Sequence, residues 1–153
     1  MVSDYLMAGY SFIGKDIPRV DGQAKVTGEA IFTTDIQLPG MLLGKILCSP
    51  SPFAKILSIN TDKAQKLPGV KAVITAQTVI QFPYGQVIAD ELPLTDRYVR
   101  YVGDEVAVVA AVDDETAEES LDLIKVEYEE LTPVLDPEEA MQSETPAVHP
   151  KRY

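Results

Sequence analysis

Three adjacent carboxylate pairs are the first residues with chemistry to offer: Asp90 with Glu91, Asp104 with Glu105, and Glu129 with Glu130. Two carboxylates converging on one cleft can divide acid and base roles between them. Neighbours on an extended strand point to opposite faces instead, so solvated faces are expected for all three pairs. The single histidine, His149, stands in a proline-rich tail, which leaves no two-histidine metal site and no histidine base within the core. The single cysteine, Cys48, excludes an internal disulfide and cannot build a cysteine-rich metal site. It follows the apolar run 41–47, so a buried structural thiol is expected. Gly9 and Gly14 are too sparse for a phosphate loop, and no Gly-Lys-Ser/Thr occurs. The residues alone therefore point to no catalysis.

The clearest plan lies between Val99 and Leu131. Val106 to Val112 is apolar without a break, the pattern of a central strand covered on both faces. Asp113 and Asp114 stop it and can cap a helix, and Glu115, Glu118 and Glu119 suit the positive end of the helix dipole. Ala117, Leu121 and Ile124 form one narrow apolar stripe, and Lys125 to Glu129 alternates charged and apolar, a strand with one wet face. Residues 54–75 repeat this strand–helix–strand plan in shorter form. Ala54 to Thr61 alternates, Thr61 or Asp62 can cap a helix to about Leu67, and Val70 to Thr75 follows the Pro68-Gly69 turn.

Elsewhere, Met41 to Ser49 reads as a strand ended by Ser49-Pro-Ser-Pro, and Ala30 to Thr34 as a short strand between turns at Asp21-Gly22, Thr27-Gly28 and Leu38-Pro39-Gly40. Gly103 interrupts a good strand and suggests a bulge or a close backbone approach. The irregular link 76–98 is long for a compact domain, which points to function or to packing against a partner. Its Phe82, Tyr84, Val87 and Ile88 are expected in the core, with a pocket shared with another chain as the alternative. A short helix is expected at about 138–142.

Length allows one core: 153 residues. With Lys+Arg 13 against Asp+Glu 24, the net charge of -11 repels phosphate and anionic lipid, so neither nucleic acid nor a membrane surface is the expected partner. No stretch approaches the ~20 apolar residues of a membrane span. The N-terminus lacks a basic region followed by an apolar core, and a cytoplasmic location is expected. The organisation is an N-terminal arm at 1–18, a mixed α/β (α+β) domain at 19–142 in which two strand–helix–strand units share a mixed sheet system, and a tail at 143–153.

Seven segments, in order, resemble the N-terminal α/β-hammerhead domain of the molybdenum-binding subunit in the xanthine dehydrogenase and aldehyde oxidase family. They are Arg19-Val-Asp-Gly with Lys25-Val-Thr-Gly-Glu-Ala; Thr34-Asp-Ile with Leu38-Pro-Gly-Met; Ser49-Pro-Ser-Pro; Leu67-Pro-Gly-Val; Val99-Arg-Tyr-Val-Gly-Asp; Val126-Glu-Tyr-Glu-Glu-Leu; and Asp136-Pro-Glu-Glu-Ala. The resemblance covers about residues 14–150. Cys48 departs from it, standing where many relatives have arginine.

The resemblance implies a part of a molybdenum hydroxylase, an enzyme that hydroxylates aldehydes or aromatic heterocycles at a molybdopterin-bound molybdenum with oxygen from water. Electrons then leave through iron-sulfur clusters to FAD or another acceptor. It places the glutamate base and nearly all cofactor contacts in a region after the hammerhead, to which the tail 143–153 would lead. By that resemblance the chain alone carries no catalytic, metal or cofactor-binding residue and is inactive by itself. Its partners would be the molybdopterin-binding domains and an iron-sulfur subunit. The link would lie beside the substrate funnel, with Val87 and Ile88 as wall residues. The rival reading is a self-sufficient binding or scaffold module. In that case the stretch from Thr145 would be packed rather than disordered.

Overall fold

The computed structural model describes residues 12–87, 89–142, 144–145 and 147–148. The chain divides into two compact units, Met1–Pro39 and Gly40–Tyr153. In the first, the expected turn at Asp21-Gly22 opens a short helix instead, α1 (Gly22–Thr27), which Gly28 ends in the left-handed conformation. Lys25 pairs with Asp21 one turn below it. The strand expected at Ala30 to Thr34 is absent. The Asp35 carboxylate accepts from the Phe32 amide at 2.9 Å and winds the chain into a 3-10 turn at Thr33–Asp35, which removes the backbone groups a ladder would use. No described residue of this unit is buried.

The second unit runs β1 (Leu43–Cys48), β2 (Ala54–Asn60), α2 (Asp62–Lys66), β3 (Val70–Thr75), β4 (Tyr98–Val99), β5 (Glu105–Ala111), α3 (Asp114–Leu123), β6 (Lys125–Glu130) and α4 (Pro137–Ala140). The expected helix at 138–142 thus begins and ends slightly earlier, because the Asp136 carboxylate accepts from the amides of Glu138 and Glu139 and fixes the start. Asp113 caps α3 as expected, accepting from Thr116 at 2.7 Å. Gly69, in the turn before β3, has φ +98, and a Cβ there would meet the Thr116 and Val112 methyls at 3.0 and 3.1 Å. Only glycine suits both the turn and the approach of α3.

Both strand–helix–strand units form, the fold is mixed, and the units share a sheet system, which is divided into two sheets. Two separate three-stranded sheets occur, in the orders β1-β5-β3 and β4-β2-β6. Every pairing between described strands is antiparallel. Each unit gives one strand to each sheet: β2 and β6 pair with one another, as do β3 and β5. The sorting follows the side chains. Apolar β3 and β5 join β1, whereas β2 and β6, each with a polar side, join one another.

Helices α2 and α3 lie on one face of the β1-β5-β3 sheet, where Ala107, Val109 and Ala111 meet Ala64, Ala117, Val73 and Ile124. Register shifts at Val106 and Lys71 place two neighbouring residues opposite one partner. The first shift keeps both Val106 and Ala107 buried. Val106 then packs with Ala54 and Val99, which joins the second sheet to the core. Burying each of these valines contributes roughly 1.5–3 kcal/mol. The expected bulge thus falls at Val106, while Gly103 forms the preceding turn at φ +104, where an added Cβ would meet no atom within 4 Å.

Cys48 is exposed, against expectation. Alternation explains it: Lys45 and Leu47 turn towards the core, so Cys48 falls on the opposite face.

Candidate functional site

The link between β3 and β4 is the segment with functional promise, and it is held at its base rather than packed along its length. Thr78 closes the end of β3, its hydroxyl accepting from the Thr75 amide at 2.9 Å. Tyr84 and Glu91 exchange two backbone bonds, at 2.9 and 3.1 Å, and make a narrow hairpin-like projection. Its tip carries Val87, 96% exposed. Phe82 and Tyr84 are exposed as well, so the core expected for these residues is not where they sit. The reason is the Tyr84–Glu91 pairing, which lifts the segment off the sheet while Leu94 and Thr95 take the buried places. Ile88 lies outside the described residues, as do His149 and residues 1–11.

Asp104 fixes that base, a role that sequence reasoning missed. One carboxylate oxygen accepts from the Thr95 hydroxyl at 2.5 Å and the other from the Arg100 amide at 2.8 Å. Asp104 and Thr95 are both buried, so the expectation of a solvated Asp104/Glu105 pair holds for neither member: Glu105 is only half exposed. Asp104 also joins β1, its carbonyl accepting from the Ser49 amide at 2.8 Å. A buried carboxylate is tolerated when donors satisfy its oxygens. The legible signal was an aspartate directly after a turn glycine and just before an unbroken apolar run.

A groove of about 230 Å³ opens between the projection and the start of β5, lined by Tyr84, Asp90, Glu91, Arg100, Tyr101 and Glu105 among others. The Tyr101 hydroxyl donates to Glu105 at 3.3 Å. Burial first, and then the charges of Asp104 and Glu105, push its phenol up to about 12. Tyr84, though exposed, is raised in the same direction, by partial desolvation of its phenol against the groove and then by Glu91. Both phenols hold their protons at neutral pH and act as donors, not bases. The Arg100 guanidinium is taken by the carbonyls of Tyr98 and Val148. Among the described residues, no three His, Cys, Asp or Glu side chains converge on a possible metal position.

The chain is similar over most of its length to known proteins. The family described as aldehyde oxidase and xanthine dehydrogenase, a/b hammerhead domain, matches residues 27–132. The chain belongs to this hammerhead family. A probable xanthine dehydrogenase subunit of Bacillus subtilis (strain 168) is 47% identical over 132 residues, covering 86% of this chain and 18% of the relative. The nicotinate dehydrogenase large molybdopterin subunit of Eubacterium barkeri is 38% identical, covering 92% of this chain and 33% of the relative. Among solved structures, the aldehyde oxidoreductase from Desulfovibrio desulfuricans ATCC 27774 superposes with a TM-score of 0.80 at 29% identity, covering 90% of this chain and 17% of that one. The hammerhead chain thus spans a third or less of the length of these relatives.

Molybdopterin does not fit the groove of this hammerhead. The cofactor carries a phosphate, and the lining offers carboxylates at Asp90, Glu91, Asp104 and Glu105 against one arginine already engaged on carbonyls.

Proposed function

We propose that this chain is a non-catalytic structural and interface domain of a molybdenum hydroxylase, an oxidoreductase that adds water-derived oxygen to an aldehyde or an aromatic heterocycle. One observation carries the reading: the hammerhead match over residues 27–132, shared with relatives named as molybdenum-binding or molybdopterin subunits. In this reading the molybdopterin-binding region and an iron-sulfur subunit are its partners, with electrons passing to FAD or another acceptor in the cytoplasm. The absence of any helix long and apolar enough to cross a membrane, among the described residues, is consistent with that location.

Val87 and Ile88 would form part of the substrate funnel wall. The exposed position of Val87 at the tip of an anchored projection supports that role, since a wall residue needs a fixed base and an uncovered side chain. The division into an arm at 1–18, a domain at 19–142 and a tail at 143–153 belongs to the same proposal.

A self-contained module is the second reading, favoured by contacts of the tail. Within its described part, the Thr145 hydroxyl donates to the Glu139 carbonyl at 2.6 Å, and the Val148 carbonyl accepts from Arg100 at 3.4 Å. Native purification of the chain from its own cells, with molybdenum measured in the complex and in the separated chain, decides between them. Metal in the complex alone supports the hydroxylase reading. A metal-free chain without a large partner supports the module, and metal retained by the separated chain overturns the first proposal.

A further inference from the structure

The two sheets treat their outward faces differently. On the β4-β2-β6 sheet the outward side carries polar pairs beside an exposed leucine: Lys55 Nζ lies 3.6 Å from Glu129, Ser58 donates to Glu127 at 2.8 Å, and Leu57 is 56% exposed. Charged and hydroxyl groups thus break up its apolar surface. On the β1-β5-β3 sheet, both helices occupy the inward face. The outward face presents two rows set directly across the ladder, Gly44–Ala110–Ala72 and Ile46–Val108–Ile74. None of the six is polar, and Ile46 is 51% exposed. Among the described residues of the second unit, no helix or strand packs over these rows.

We infer that this outward face of the β1-β5-β3 sheet is a docking surface for an apolar segment of the molybdenum-binding polypeptide. The inference rests on the function proposed above and names the part of the hammerhead that meets its partner. Size selects the occupant. Strand spacing and rise give the face an area of roughly 250 Å², well below the ~800 Å² per partner of a stable free interface. It is too small to hold a second copy or an independent protein. The charge of -11 on each copy opposes self-association further. A segment already held nearby, by chain continuity or by a larger interface, needs no such area because its effective concentration is high. The relatives carry two thirds or more of their length outside the matched region, which supplies such a segment. The row of Gly44, Ala110 and Ala72 lets it approach the sheet closely, and the row of Ile46, Val108 and Ile74 gives it apolar area to bury.

The test uses thiol alkylation of the chain and of the assembly purified from its own cells. In a Cys48→Ser background, Ile46→Cys and Ala72→Cys report on this face, and Ser58→Cys reports on the other sheet. In the chain alone Ile46→Cys and Ser58→Cys should react freely, and the half-buried Ala72→Cys more slowly but measurably. In the molybdenum-containing assembly, alkylation of Ile46→Cys and Ala72→Cys should slow by roughly tenfold or more, because a covered thiol reacts only when the face opens. Ser58→Cys should keep its rate. A molybdenum-containing assembly in which all three keep the rates of the chain alone overturns the docking face and leaves the proposed function standing. Protection of Ile46→Cys in the chain alone also overturns it, since the face would then be covered without the partner. Failure to find any molybdenum-containing assembly removes the proposed function, and the docking face with it.

Discussion

The two sheets of the Gly40–Tyr153 unit are alike in size and in their antiparallel pairing, and each turns one face to a shared core. They differ outside. One presents Lys55, Ser58, Glu127 and Glu129 beside Leu57, the other only apolar side chains, Ile46, Ala72, Ile74, Val108 and Ala110. The hydrophobic effect favours covering the second more than the first. A single protein thus holds its own reference for what a solvent face looks like, and the apolar sheet departs from it. The departure, rather than exposure of any one residue, is what indicates a missing cover.

The largest expected effect sharpens the distinction between the inward and outward sides of one sheet. Val109→Asp puts an unpaired charge among Ala107, Ala111 and Ala117 and should cost about 3–5 kcal/mol or more. Ile46→Thr, on the neighbouring strand but outward, should change stability by less than about 1 kcal/mol. Urea unfolding of both variants makes the comparison, and a large loss from Ile46→Thr would mean that the outward face is already covered.

Next comes the anchor of the projection. Asp104→Ala leaves the Thr95 hydroxyl and the Arg100 amide without their acceptor, and should cost about 2–4 kcal/mol by the same measurement. Hydrogen exchange should rise at residues 94–100 before it rises in either sheet. Unchanged exchange there would show that the projection is held by something else.

Smaller effects follow from charge. Thr116 donors hold the Asp113 carboxyl below its ordinary value of 3.8. Its folded pKa is depressed, so its contribution is present above the unfolded value and is lost as pH falls through the folded one. Asp113→Ala should therefore lower the Tm modestly at pH 7, with the difference closing below about pH 4. For Tyr101 the sign is opposite in pH: a phenol raised to about 12 gives stability that is full below pH 10 and is lost as pH rises towards 12. Ultraviolet titration should lose one late ionisation step in Tyr101→Phe. Smallest of all, Glu127→Ala on the wet face of the second sheet should cost no more than about 0.5 kcal/mol, and a larger loss would erase the contrast between the two outer surfaces.

Much of this was legible in the residues. The unbroken apolar run at Val106 marked the centre of a sheet, whereas of the two covered faces expected for it, elements among the described residues of its unit cover one. Asp113 and the alternation at Lys125 to Glu130 gave the helix start and the wet strand, because capping and side-chain parity are local properties. Short turns were harder. At Asp21-Gly22 and at Phe32 the same residues suit a turn or a helix end, and at Phe32 one side-chain bond from Asp35 decided the outcome. Cys48 and Phe82 misled because an apolar neighbourhood in sequence does not specify which side of a strand or loop faces the core.

By itself the sequence determined the family, through its ordered segments, and the identity of most strands and helices, through periodicity and caps. Tertiary structure alone decided which strands pair, that each strand–helix–strand unit divides between two sheets, and that Asp104 is a buried anchor rather than a wet carboxylate. Strand pairing and burial arise from contacts between residues far apart in the chain, and a local pattern carries no information about which distant partner completes it.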